Sequence, residues 1–149
     1  MAEVPNGRPD PFHAPAPAAS VVSVMLIVPD AAAATSWYRS ALGATEMWNL
    51  GSVVGLEIAG APFFLHQVNP DNPAETTPGE VGLTSTRVEL FTDDPDRVIQ
   101  RAVAAGAAAG SPAENHRMPW GNHRQGGFID PFGHKWSVGD RSPLSRRRD

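Results

Sequence analysis

The chain spells one pattern twice. Val24, Leu26 and Asp30 in "VMLIVPD" are matched by Val88, Leu90 and Asp94 in "VELFTDD", at a constant separation of 64 positions. Each copy opens as a β-branched, strand-like run and ends on an aspartate suited to capping a helix. After Asp30, the residues Ala34, Trp37, Tyr38, Ala41 and Leu42 recur at helical spacing, and Gly43 supplies a stop. After Asp94, Pro95 opens a helix that carries Val98, Ile99, Ala102 and Val103 on one stripe and stops at Gly106. A repeat of this kind constrains the fold strongly, because each copy must complete the same supersecondary unit.

Three short strands are predicted after each helix. They are Thr45–Leu50, Val53–Ile58 and Phe63–Val68 in the first copy, with Gly51 and Gly60 as breaks. In the second copy they fall near Ser111–Arg117, Asn122–Ile129 and His134–Val138. The expected organisation is a leader over 1–20, module one over 21–68, a Pro-rich linker over 69–82, module two over 83–140 and a basic tail over 141–149. A three-stranded meander after a crossover helix cannot cover both its faces alone. Pairing two such units puts the helices outside a curved sheet and leaves a concave inner face for a ligand.

Composition removes several function classes. With 149 residues, one domain with a substantial core is the economical reading. Net charge is -4, only one of twelve basic residues is lysine, and no basic stripe carries interleaved aromatics, so nucleic acid is not an expected partner. The Arg146–Arg148 cluster reads as a solvated tail. There is no cysteine, hence no disulfide, thiolate ligand or cysteine nucleophile. The leader lacks the apolar core of a secretion signal, and no apolar run is long enough to span a bilayer. A soluble, cytoplasmic protein is the expectation.

The ending "MPWGNHRQGGFIDPFGHKWSV", read with "VMLIVPDAAAATSWYRSALGA" and its second copy, resembles the vicinal oxygen chelate superfamily, in particular its PhnB-like branch. That superfamily includes glyoxalase I, bleomycin- and fosfomycin-resistance proteins and extradiol dioxygenases. The resemblance covers residues 21 to 140. It implies an α+β fold in which two tandem βαβββ modules form an open, eight-stranded barrel-like sheet, often in a homodimer. It does not fix a reaction, since enzymes and pure binders share the fold.

Family enzymes hold a divalent metal with His, Gln and Glu from the first and last strands of each module. On this sequence the resemblance puts those places at Ser23, seven before Asp30, and Arg87, seven before Asp94. The other two are Ser137, four after Gly133, and Phe64, four after Gly60. A hydroxyl is a weak donor, phenylalanine has none and arginine is a permanent cation. No metal site and no other cofactor is therefore expected, with a divalent ion disfavoured.

Strand parity supplies the rest of the expected lining. Ser23 brings Met25 and Ile27, Phe64 brings His66, Arg87 brings Glu89 and Phe91, and Ser137 brings Lys135. Trp48 and Trp120 complete the predicted ligand-binding set, Trp48 touching core or cavity and Trp120 serving as a stacking lid or an interface residue. Arg87 suits a carboxylate or phosphate. Glu89 and His66 are the candidate general bases, against the alternative that Arg87 and Glu89 pair with each other and His66 is a bonded strand histidine. His116 and His123 lack a spacing that brings both to one metal. His134 is expected to cap the Asp130–Gly133 turn, and the "GGF" at Gly126–Phe128 to mark a bulge or close backbone approach.

Two functions follow. The leading one is metal-free binding of a small aromatic or amphipathic molecule, as in drug or toxin sequestration. The alternative is a glyoxalase-like lyase, isomerase or dioxygenase. It works through Glu89, His66 and Arg87 without metal, or through a non-standard metal site.

Overall fold

A computed structural model describes residues 20–145. The expected leader up to position 19 and the Arg146–Arg148 cluster lie outside the described residues. The first module runs β1 (Met25–Val28), α1 (Ala31–Leu42), β2 (Thr45–Asn49), β3 (Val53–Ile58) and β4 (Ala61–Gln67). A short α2 (Pro78–Val81) interrupts the linker. The second module runs β5 (Arg87–Phe91), α3 (Pro95–Ala104), β6 (Ala108–Ala109), β7 (Glu114–Met118), β8 (Gly121–Ile129) and β9 (Lys135–Gly139).

The repeat is structural. The sheets have orders β1-β4-β3-β2 and β5-β9-β8-β6, with β7 also on β8, and the first strand of each module lies parallel to its last. Both predicted caps form. Asp30 Oδ1 accepts the Ala33 N–H at 2.9 Å and Asp94 Oδ1 accepts the Arg97 N–H at 3.1 Å. Gly43 ends α1 in the left-handed region at φ 66°. The fold is α+β, two tandem βαβββ modules.

Several boundaries differ from the sequence reading. Val21 and Val22 are exposed and precede β1, whose strand pairing with β4 starts at Met25. The linker folds locally at α2, because Thr77 Oγ1 accepts the Glu80 N–H, Pro78 starts the turn and Gly82 closes it. The strand expected over Ser111–Arg117 is β7, which starts only at Glu114, and an unpredicted two-residue β6 precedes it, both on β8. Pro112, which has no N–H to donate, stands in the gap between them. Val103 turns outward on α3, whereas Ala102 is buried.

The helix-facing sides of both sheets share one core. Leu26, Val28, Val54, Leu56 and Leu65 pack with Tyr38 of α1, and the cluster continues through Phe128, Trp136 and Val138 of the second module. Trp136 stacks on Phe128 at 5.8 Å and lies 5.7 Å from the Tyr38 ring. The helices are tied as well. The Trp37 indole donates to the Ala105 carbonyl at 2.9 Å, and the Arg101 guanidinium donates twice to the Ser40 carbonyl.

One carboxylate organises the junction. Asp130 is 3% exposed, yet it accepts four hydrogen bonds: from the Tyr38 hydroxyl, from the Trp136 indole at 2.9 Å, and from the backbone of Phe132 and His134. His134 closes the same turn and also donates from Nε2 to the Ile27 carbonyl at 2.8 Å, so it bridges modules. A buried carboxylate is tolerable only when its lone pairs are met in this way.

Candidate functional site

With the helix-facing positions in the core, the alternate positions of every strand form an open face. In module one, Met25 is the register partner of Phe64, Phe64 of Gly55, and Gly55 of Trp48. The next row pairs Ile27 and Val53 with His66. Trp48 reaches this face because of a bulge between Glu46 and Trp48, which inserts Met47 as an extra residue and re-aims the indole. The ring stacks on Phe64 at 5.7 Å and lies over Gly55, where a Cβ would sit 2.6 Å from it. This resolves the choice the sequence left for Trp48: it is on the open side, 38% exposed.

Module two presents a different surface. Arg87 and Ile129 are register partners of Lys135, Glu89 and Gly127 are partners of Ser137, and Phe91 and Gln125 are partners of Gly139. A concavity of about 380 Å³ opens here, with Arg87, Lys135, Ser137, Gln125 and His116 around it and Gly110 and Gly127 on its wall. Arg87 Nε and Nη2 both reach Glu89 Oε1 at 2.9 Å. The Gln125 amide donates to the Ser137 hydroxyl.

The expected residues therefore do not line one cavity. Ser23, Met25, Ile27, Trp48, Phe64 and His66 belong to the first sheet's side, whereas Arg87, Glu89, Phe91 and Ser137 belong to the second's. The concavity at the second sheet is lined by second-module residues alone. A separate cleft of about 470 Å³ between β1 and β5 takes Met25 and Ile27 together with linker residues. Trp120 sits at neither. Its indole donates to Ser142 Oγ at 3.0 Å, beside His123.

The two candidate bases stand on different sheets. Glu89 is engaged with Arg87, the pairing alternative that the sequence held open. His66 donates from Nδ1 to the Gln67 carbonyl at 2.7 Å, which leaves Nε2 as its acceptor. The four places to which the resemblance assigns the family's metal ligands also lack donors for an ion. Ser23 Oγ donates to the Pro62 carbonyl at 2.6 Å, Ser137 is taken by Gln125, Arg87 is cationic and Phe64 has no lone pair. Among the described residues no three His, Asp or Glu side chains group as a metal would require. These residues do not fit a divalent ion.

One cluster escaped the sequence reading. His123, 4% exposed, bonds through Nδ1 to Asp140 Oδ1 at 2.8 Å, and Ser142 Oγ lies 3.1 Å from the same nitrogen. Both partners share one ring nitrogen, so the three cannot relay a proton through the imidazole to the serine. They clasp the segment after β9 instead. Desolvation raises the Asp140 carboxyl's pKa, but hydrogen bonds from Ser142, the Arg124 N–H and His123 outweigh it and hold the group well below the usual carboxylate range. Across the sheet, the bidentate Arg124 bond to Asp96 of α3 lowers that carboxyl too. Gln125 was missed as well, although counting by twos from Gly127 finds it.

This architecture, paired βαβββ modules with a polar concavity on one and an aromatic shelf on the other, defines a class. A model of the Glyoxalase/Bleomycin resistance protein/Dioxygenase superfamily matches residues 20–138, and the chain belongs to that superfamily. The uncharacterized protein Mb0911c of Mycobacterium bovis is 35% identical over 126 residues, 79% of this chain and 81% of its own length. Among solved structures, TioX from a Micromonospora species is similar with a TM-score of 0.64 and 23% identity, over 82% of this chain and 98% of its own. The fosfomycin resistance protein FosX from Mesorhizobium loti is similar with a TM-score of 0.55 and 16% identity, over 85% and 98%. At these identities the structural likenesses speak to the fold. No helix among the described residues is long and apolar enough to cross a membrane.

Proposed function

We propose that this protein is a metal-independent small-molecule binder that captures an aromatic or amphipathic compound on the open faces of its sheets. One observation carries the reading. At Phe64, where the resemblance would put a metal ligand, the chain has an aromatic ring stacked on a Trp48 that a bulge has turned toward the same face. Side chains chosen for area and π-stacking suit apolar capture rather than coordination. Sequestration of a drug or toxin is the biological use that such a surface suits, and the closing "FIDPFGHKWSV" supports a PhnB-like placement.

A homodimer belongs to the proposal. Met47, Trp48 and Leu50 are exposed on and just after β2, and Met25 is exposed on β1 at the opposite edge of the same sheet; a second copy presenting its polar concavity would complete an enclosed cup. The test is tryptophan fluorescence titration with a panel of neutral and charged arenes, alongside light scattering for mass. Saturable quenching that Trp48→Phe diminishes is the expected result. A panel with no saturable binder overturns the reading.

A further inference from the structure

We infer that the second module's concavity is a receptor for a planar organic monoanion, an aromatic or conjugated carboxylate. The inference rests on the binder reading above and names the chemistry of its guest.

Charge comes first. Arg87 and Lys135 are register partners at one end of the concavity, so two cations stand side by side. Glu89 neutralises one of them through Arg87. Among the described residues no carboxylate pairs with Lys135. Two positive charges and one negative leave a single uncompensated cation, which one guest carboxylate would match. A dianion fits poorly, because the Glu89 carboxylate would face its second charge while Arg87 is already half committed.

The neutral groups point the same way. Ser137 Oγ accepts from Gln125, so its own O–H is left to donate. That hydroxyl is on the strand that carries Lys135, two residues away and on the same face. A carboxylate there gains an ammonium and a hydroxyl donor from one strand, and charge-assisted bonds of this kind are the strong ones.

Shape decides the rest of the guest. Part of the wall carries no side chain, because none fits. A Cβ on Gly110 would sit 2.9 Å from the Gly127 carbonyl carbon and oxygen, and a Cβ on Gly127 would sit 2.5 Å from the Trp136 carbonyl oxygen. Bare peptide planes admit a flat group and reject nothing by size above them. A volume of about 380 Å³ is at the small end for ligand pockets, which suits one or two fused rings.

The test is calorimetry on the full chain with 2-naphthoate and, as its uncharged counterpart, 2-naphthamide. The carboxylate is expected to bind at least about tenfold tighter than the amide. Lys135→Ala should remove about that factor, while Glu89→Gln, by releasing the Arg87 guanidinium, should tighten binding severalfold. Both side chains are at the surface, and Glu89→Gln keeps its size, so one informative variant remains if the other misfolds. Equal affinity for amide and acid, or a Glu89→Gln variant that binds more weakly or unchanged, overturns the inference and leaves the binder reading standing. Failure of both probes, together with the neutral arenes of the wider panel, overturns the two together.

Discussion

Tyr38 and Asp130 meet across 92 residues of sequence, the hydroxyl of α1 donating to the carboxylate of the β8–β9 turn. The bond joins the modules inside the shared core. Burial, then the charge of Asp130 and the hydrogen bond to it, push the Tyr38 hydroxyl well above its ordinary pKa. Tyr38→Phe removes one of four donors and is expected to cost about 1–3 kcal/mol in urea unfolding. Because the folded pKa is raised, the stabilisation is complete below about pH 10, where free tyrosine titrates, and is lost as pH rises beyond it. Wild type should therefore lose stability in alkali more steeply than the Phe variant.

At the acid end the sign reverses. Asp140 has its folded pKa depressed, so its contribution is present above the unfolded value of about 4 and disappears as pH falls toward the folded one. Asp140→Asn should flatten the acid limb of a stability-against-pH curve and loosen the segment around Ser142. Amide exchange at Arg124, whose N–H bonds Asp140 Oδ2 at 2.7 Å, reports that loosening. An unchanged acid limb would contradict the clasp.

Gly127→Ala tests the close approach of β8 and β9. The added carbon lands 2.5 Å from the Trp136 carbonyl oxygen, with backbone rather than a yielding side chain as its obstacle. Overpacking of this sort costs about 1–3 kcal/mol. Thermal melts should show the loss.

Ala59 offers the opposite outcome. It occupies the first place of a two-residue hairpin between β3 and β4, at φ 48°, followed by Gly60 at φ 83°. Such turns favour Asn-Gly, because asparagine enters the left-handed region at less cost than alanine. Ala59→Asn should stabilise the protein by about 0.5–1 kcal/mol, read from the urea midpoint. No gain would mean that the turn is held by its strands alone.

Local chemistry was legible and long-range pairing was not. Asp30 and Asp94 announce their helices by residue type, and strand parity from Ser23, the place the resemblance supplied, puts Met25 and Ile27 on one side of β1, where the register pairs them with Phe64 and His66. The bulge at Met47 shifts parity by one, so alternation alone could not place Trp48. The division of the expected lining between two faces depends on how the sheets sit, and no spacing within a strand encodes that. The Tyr38–Asp130 bond and the His123–Asp140 clasp were hidden for the same reason: each joins residues that only the assembled chain brings together.

The two hairpins that close the modules are built unequally. Between β8 and β9 the corner carries an acid that reaches into the other half, whereas the Ala59–Gly60 corner has none to give. Two identical front halves would thus shut around a phenol that nothing answers. The duplicates have ceased to be spare parts for each other, and neither can be swapped for its twin.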